Sequence, residues 1–212
     1  MRTPLCAKLF TRAAPTPKRW TILVERVVMS DAALPVTVLR LPAVYGPLDP
    51  QHRLFGYLKR MDDRRPAILL EEEQSRWRWT RGYVENVADA IALAVTDDRA
   101  TNRIYNVGEP ESLTELDWVH AIGHAAGWDG RIVVLPKDSM PAHMVTDADY
   151  SHHFVTDTSR IRAELGFDER VSRLEALHKT IDWERTNPPA EMFDARAEYA
   201  AEDAVLEKLK ID

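Results

Sequence analysis

The side chain best suited to binding an anion is Arg81, in a stretch where arginines alternate with tryptophans (residues 76–84). A guanidinium donates two parallel charge-assisted hydrogen bonds, an arrangement that matches a phosphate group. The alternative is a surface ion pair between Arg81 and the acidic run at 71–73. Arginines beside aromatic rings could also stack single-stranded nucleic acid. The net charge of -6 argues against that class, so we expect no nucleic-acid partner.

Two groups of residues have types that bind metals. His120 and His124 stand four positions apart in a predicted helix, but no glutamate follows His120 as it does in H-E-x-x-H. The other group fits no standard ligand spacing and lies in a polar stretch: Asp147, Asp149, His152 and His153. We therefore expect no metal site. Cys6 has no identifiable partner histidine, and we expect no catalytic role for it.

The composition is that of an ordinary globular protein, with 45% hydrophobic and 29% charged residues. No apolar run approaches the roughly 20 residues that span a bilayer, so we expect no membrane partner. A single cysteine excludes an internal disulfide framework and fits a reducing compartment. The sequence thus predicts a cytoplasmic location.

The elements that must position Arg81 begin near residue 20. Apolar residues recur there at the spacing of a core-facing helix stripe: Trp20, Leu23, Val24, Val27 and Val28. The apolar run at 36–41 barely alternates, which predicts a strand covered on both faces in a parallel sheet. Pro42, Gly46 and Pro47 then predict a tight loop at its carboxyl end, the edge where α/β sheets bind ligands.

Further along the chain, the acidic run at 71–73 predicts a solvated turn, and 76–84 predicts a strand with Trp77 and Trp79 on one face. Ser112-Leu-Thr-Glu115 has the pattern of a capping box, which predicts a helix ending at Gly127. The chain divides into a start of different composition that we expect to be disordered (1–19), a last helix and strand of a Rossmann-like domain (20–49), a mixed substrate-binding part (50–188) and a C-terminal helix (189–212).

Four segments together carry a family resemblance: LRLPAVYGP (39–47), RGYVENVADA (81–90), YNVGEP (105–110) and DTSRIRAELG (157–166). In this order and spacing they resemble the C-terminal part of the NAD-dependent epimerase/dehydratases, which are extended short-chain dehydrogenase/reductases. The resemblance implies an α/β fold in which a Rossmann sheet binds NAD or NADP. It also implies a small mixed α/β domain that binds a sugar or nucleotide sugar.

The resemblance assigns three site residues. Pro42 matches the family position beside the nicotinamide, and its plainer interpretation is a strand terminator. Tyr45 shapes the same cofactor-side loop, or is a packing residue. Arg81 matches a family arginine that contacts substrate phosphate.

The family's cofactor and catalytic motifs are not found in this sequence. The first glycine is Gly46, so no G-x-x-G-x-x-G loop precedes the strand at 36–41. The similar spacing at 123–130 ends a predicted helix, where a phosphate site is not expected. None of the six tyrosines has a lysine four positions later, and if Glu25 matches a family glutamate, Thr21 stands in the lysine's place.

These departures predict a partial Rossmann-like parallel sheet that lacks its N-terminal nucleotide-binding half. We expect no catalytic residues and no turnover from the chain as written. The alternative is a non-catalytic binding or regulatory remnant of the same fold, whose uncovered sheet would seek a partner. A homodimer remains open.

Overall fold

The computed structural model describes residues 18–31, 33–190 and 194–209. The helices are α1 Lys18–Ser30, α2 Phe55–Asp62, α3 Glu72–Arg76, α4 Val84–Thr96, α5 Glu115–Ala126, α6 Ser159–Leu165, α7 Arg173–Thr186 and α8 Ala195–Lys208. The strands are β1 Thr37–Arg40, β2 Ala43–Tyr45, β3 Ala67–Glu71, β4 Arg81–Tyr83, β5 Arg103–Asn106 and β6 Arg131–Leu135. In these ranges no helix combines the length and the apolarity that a membrane span requires.

All three strand pairings are parallel: β1 with β5, β2 with β4, and β3 with β6. Parallel neighbours need crossover connections, and helices supply them here. This order confirms the predicted α/β class with a partial Rossmann-like parallel sheet. The division into a Rossmann-like part and a substrate-binding part stays a prediction.

Two apolar clusters support the strand ends. In one, Trp118 and Ile122 of α5 pack with Tyr45 and with Leu177 of α7. In the other, Tyr105 of β5 packs with apolar residues of α4 and α6. The packed helices thereby hold the carboxyl ends of β2, β4 and β5 in place.

The predicted first helix is confirmed as α1, but its apolar stripe is not buried as predicted. Leu23 is 45%, Val24 59% and Val27 68% exposed, and the side chain of Trp20 lies outside the described part. β1 is half-buried and shorter than the predicted 36–41, and among the described residues it pairs on one edge only. The prediction of a strand covered on both faces is therefore wrong for β1. The start predicted to be disordered lies outside the described residues up to residue 17.

Three local predictions are corrected. The acidic run at 71–73 is not a solvated turn, because Glu71 is the buried end of β3 and the following residues open α3. Within 76–84 only β4 is regular strand, while Arg78 and Trp79 form isolated bridges. α5 is capped by the Thr114 hydroxyl, which accepts from the Asp117 amide at 3.1 Å, rather than by Ser112. Gly127 ends α5 with φ 69°, as predicted.

Candidate functional site

The loop after β1 is held by close packing around Pro42. Proline has no amide hydrogen to extend the ladder, so the chain breaks here, and β2 resumes where the Ala43 amide donates to the Thr80 carbonyl. A Cβ at Gly82 would lie 2.7 Å from Cγ of Pro42, and one at Gly108 would lie 2.5 Å from Cγ2 of Thr80. The strand ends can approach this closely only because two of the residues are glycines.

Tyr45, the predicted cofactor-side residue, lies in the core. It is 1% exposed, its hydroxyl donates to Oε1 of Glu109 at 2.9 Å, and Nε of Arg173 donates to Oε2 of the same carboxylate at 2.7 Å. Burial, reinforced by the Glu109 charge, raises the pKa of Tyr45 far above its usual value. Its ring meets that of Trp118 edge-on at 5.0 Å between centroids. Tyr45 is thus a protonated packing residue here, and a cofactor contact for it stays a prediction.

The guanidinium of Arg81 already holds an anion. Its Nη2 donates to Oε2 of Glu115 in an ion pair whose two side chains are each 9% exposed. The guanidinium carbon lies 4.5 Å from the ring centroid of Trp118 and 5.9 Å from that of Trp79. Arg81 therefore does not form the alternative surface ion pair with the acidic run at 71–73, because its partner is the buried Glu115.

The Glu115 carboxylate gathers further polar groups. The Tyr57 hydroxyl donates to Oε1 of Glu115 at 2.9 Å, and Nε2 of Gln74 donates to the Tyr57 oxygen at 3.4 Å. These residues come from α2, α3 and α5, and Arg81 begins β4. Sequence reasoning missed Tyr57 and Gln74, and it treated Glu115 as part of a cap. No motif links the four positions, so only the fold shows that they meet.

An aromatic cluster lies beside Arg81. Trp77 is buried, and its ring contacts those of Trp79 at 5.4 Å, Phe154 at 5.6 Å and Tyr150 at 5.7 Å between centroids. Trp79 is half-buried and Phe154 is exposed. The alternating tryptophans thus build a core edge whose outer rings flank the Arg81 segment.

Sequence reasoning missed a pair between half-buried His52, in the loop after β2, and a buried glutamate of α7. Glu184 of α7 is fully buried, and its Oε2 lies 2.7 Å from Nδ1 of His52. Oε1 of Glu184 has no hydrogen-bond partner, and desolvation raises the pKa of this carboxyl despite the bond to His52. His52 has φ 47°, and its ring stacks on Trp183 at 5.4 Å.

One group in the described chain has metal-ligand geometry, namely His143, Glu198 and Glu202, whose ligand atoms lie within 4.8 Å of one another. Oε1 of Glu202, however, already accepts from Nη2 of Arg60 at 2.6 Å, so the acidic charge has a cation beside it. The group is therefore an ion-pair cluster. The candidates weighed from the sequence lie elsewhere: His120 and His124 are exposed on α5, and Nδ1 of His152 is 3.7 Å from Oδ2 of Asp149 at the surface.

The described residues do not fit the phosphates of NAD. A dinucleotide needs backbone amides of a glycine turn between a strand and a helix N-terminus. The glycines with comparable spacing are on α5 or at its C-terminal end, where Gly123 packs against Trp128 and Gly127 is the cap. The place beside the nicotinamide that the resemblance gives to Pro42 stays a prediction.

Comparison with known proteins gives a family match and a curated relative that both point to epimerase/dehydratases. Residues 20–108 match the model of the NAD dependent epimerase/dehydratase family. A dTDP-glucose 4,6-dehydratase of Streptomyces niveus is 29% identical over 157 residues, which are 73% of this chain and 43% of that protein. An uncharacterized protein of Sinorhizobium fredii is 22% identical, covering 78% of this chain and 52% of that one. The chain thus spans about half the length of the curated relatives it matches.

Solved structures share the fold. UDP-glucose 4-epimerase of Thermotoga maritima, in complex with UDP-glucose, has a TM-score of 0.58 at 22% identity, over 80% of this chain and 52% of that one. A dTDP-glucose 4,6-dehydratase of Streptomyces venezuelae with NAD bound has a TM-score of 0.57 at 22% identity, over 80% of this chain and 50% of that one. The family match over residues 20–108 and the curated dehydratase thus make this chain similar to the NAD-dependent epimerase/dehydratases, which are extended short-chain dehydrogenase/reductases, and the solved structures share its fold.

Proposed function

We propose that the chain provides the nucleotide-sugar-binding part of an epimerase/dehydratase and does not itself oxidise a substrate. One observation carries the proposal: Arg81 is a buried guanidinium, walled by Trp118 and Trp79, that already binds an anionic group. A phosphate of a nucleotide sugar presents the same kind of acceptor oxygens as that carboxylate. The curated relative named as a dTDP-glucose dehydratase supports this substrate class.

The cofactor part of the proposal is narrower. In an assembly that supplies the NAD or NADP phosphate site, Pro42 would face the nicotinamide. Tyr45 would hold the same loop in place through its buried hydrogen bond to Glu109. The absent G-x-x-G-x-x-G and Tyr-x-x-x-Lys motifs support binding without turnover. The single cysteine supports a cytoplasmic location.

The test is calorimetric titration of the purified chain with UDP-glucose, dTDP-glucose and NAD. We expect a nucleotide sugar to bind, and Arg81→Lys to weaken it about tenfold, because lysine loses the second parallel hydrogen bond. Arg76→Lys is the matched control, since Arg76 is an exposed arginine of the same stretch that pairs with Glu72. Absence of nucleotide-sugar binding by the folded chain would refute the substrate assignment, and micromolar NAD affinity would refute the prediction of no turnover.

A second candidate is a non-catalytic module that binds a protein partner. The exposed apolar side chains of α1 favour it, because contiguous apolar surface commonly marks an interface. Sedimentation velocity at high concentration separates the two candidates. A monodisperse monomer that binds a nucleotide sugar supports the first, and a self-associating chain without sugar affinity supports the second.

A further inference from the structure

We propose that Glu115 fills an oxyanion site of Arg81, Tyr57 and Gln74 with the chain's own carboxylate, in place of a substrate phosphate. The inference rests on the proposed function and goes beyond it by assigning two further site residues and an internal competitor. Binding of a phosphate and the Arg81–Glu115 ion pair would then exclude each other.

The donors converge as they would on a ligand. Arg81 and Tyr57 reach opposite oxygens of Glu115, and Gln74 supports the Tyr57 hydroxyl from behind. A guanidinium, a hydroxyl and an amide nitrogen are donor types that bind phosphate oxygens, and they donate equally well to a carboxylate. Two separate elements, β4 and α2, bring donors directly to this carboxylate, and Gln74 of α3 reaches it only through the Tyr57 hydroxyl.

Helix capping does not account for Glu115. The side chain of Thr114 caps α5 by accepting from the Asp117 amide, and the Thr114 hydroxyl also lies 2.5 Å from Oδ2 of Asp117. The carboxylate of Glu115 is instead hydrogen-bonded by Arg81 and Tyr57. Its contacts with Arg81 and Tyr57 are those of a bound anion.

Charge makes the two occupants competitors. A buried guanidinium compensates one negative group well, whereas two anions beside it repel each other in surroundings of low dielectric. A phosphate that reaches Arg81 must therefore displace Glu115. Removal of the Glu115 charge should free the site and raise its affinity for phosphates.

The experiment compares wild type with Glu115→Gln by thermal unfolding in sodium pyrophosphate and in sodium chloride of equal ionic strength. In chloride we expect the variant to melt below wild type, because Arg81 loses its anion. We expect pyrophosphate to raise the melting temperature of the variant by several degrees more than it raises that of wild type, since a ligand of the native state stabilises it by mass action. Its dissociation constant for UDP-glucose should fall about tenfold.

Glu175→Gln is the matched control, because Glu175 is a first-turn glutamate of α7 in an exposed pair with Lys179. It should show no pyrophosphate-specific gain. The double variant Arg81→Gln/Glu115→Gln should lose the gain seen with Glu115→Gln alone. If Glu115→Gln does not fold, Glu115→Asp keeps the charge but draws it back by one methylene, and it should show a smaller gain of the same sign.

Equal responses of wild type and Glu115→Gln would overturn the inference, as would a gain that persists in the double variant. The proposed function fails separately. If wild type binds UDP-glucose through Arg81 and Glu115→Gln binds it no more tightly, the function stands and the competitor role falls. If no variant binds a nucleotide sugar but pyrophosphate rescues Glu115→Gln, the anion site stands and the substrate assignment falls.

Discussion

At the scale of residues, the loop that ends β2 depends on the buried Tyr45 hydroxyl. Replacement by phenylalanine keeps the ring but leaves Oε1 of Glu109 without its tyrosine donor. We expect Tyr45→Phe to cost about 1–3 kcal/mol in urea unfolding, the range for a buried group that loses its hydrogen-bond partner. Tyr83→Phe is the control, because its hydroxyl pairs with the exposed Glu85. Equal losses in the two variants would refute a special role for the Tyr45–Glu109 bond.

The His52–Glu184 pair predicts a pH dependence. Desolvation raises the pKa of Glu184 in the folded chain above its ordinary value of 4.5. The stability linked to this carboxyl is therefore fully present below pH 4.5 and is lost as pH rises through the raised pKa. Glutamine cannot ionise, so the variant does not lose this stability. The unfolding free energy of Glu184→Gln minus that of wild type should therefore increase as pH rises above 4.5.

Urea unfolding of wild type and Glu184→Gln between pH 4.5 and 8 measures this difference. Glu175→Gln, an exposed glutamate of the same helix, provides the baseline. A difference between wild type and Glu184→Gln that is independent of pH would contradict the prediction.

At the scale of elements, α8 is attached to the rest of the chain by ion pairs as well as by the apolar packing of Leu206. Glu202 is buried against Arg60, with His143 3.3 Å from the same oxygen, and Arg65 pairs with Asp203. Loss of one member of a buried pair leaves its partner charged and unpaired, which typically costs about 3–5 kcal/mol. We therefore expect Arg60→Met to destabilise the chain by that amount.

The double variant Arg60→Met/Glu202→Leu should recover most of this loss, because no lone buried charge remains. Arg185→Met, which breaks a surface pair with Asp62, should cost no more than about 1 kcal/mol. Urea unfolding gives the energies, and hydrogen exchange of α8 shows whether that helix is released. An Arg60→Met variant as stable as Arg185→Met would contradict a stabilising role for the buried Arg60–Glu202 pair.

The elements also show how far the sequence could be interpreted. Periodicity and Gly127 were sufficient to predict α1 and the end of α5, because local spacing and a left-handed cap determine them. The helix at 72–76 and the burial of Glu71 were missed, since three acidic residues in a row favour solvent unless tertiary packing overrides them. The Arg81–Glu115 pair joins positions that share no local pattern, so it could be identified only from the three-dimensional structure.

At the scale of the whole molecule, three apolar side chains of α1, those of Leu23, Val24 and Val27, face outward. Glutamate at Val24 or Val27 should change the unfolding free energy by no more than about 0.5 kcal/mol, because these side chains are already exposed. Leu177→Ala, in the core, should cost about 2–5 kcal/mol. Sedimentation velocity should show less self-association for Val27→Glu than for wild type. A large loss of stability in Val27→Glu would show that the stripe is buried in solution.

The strand pairings have a consequence for the order of folding. Thr37 pairs with Arg103, Ala43 with Arg81 and Ala67 with Arg131, so every ladder joins strands that are far apart in sequence. Such contacts pay the entropy of closing a long loop before they gain any hydrogen bond. On the ribosome β1 must wait until β5 has emerged, so the strand that leads to Pro42 acquires this neighbour only after nearly half of the described chain has been made.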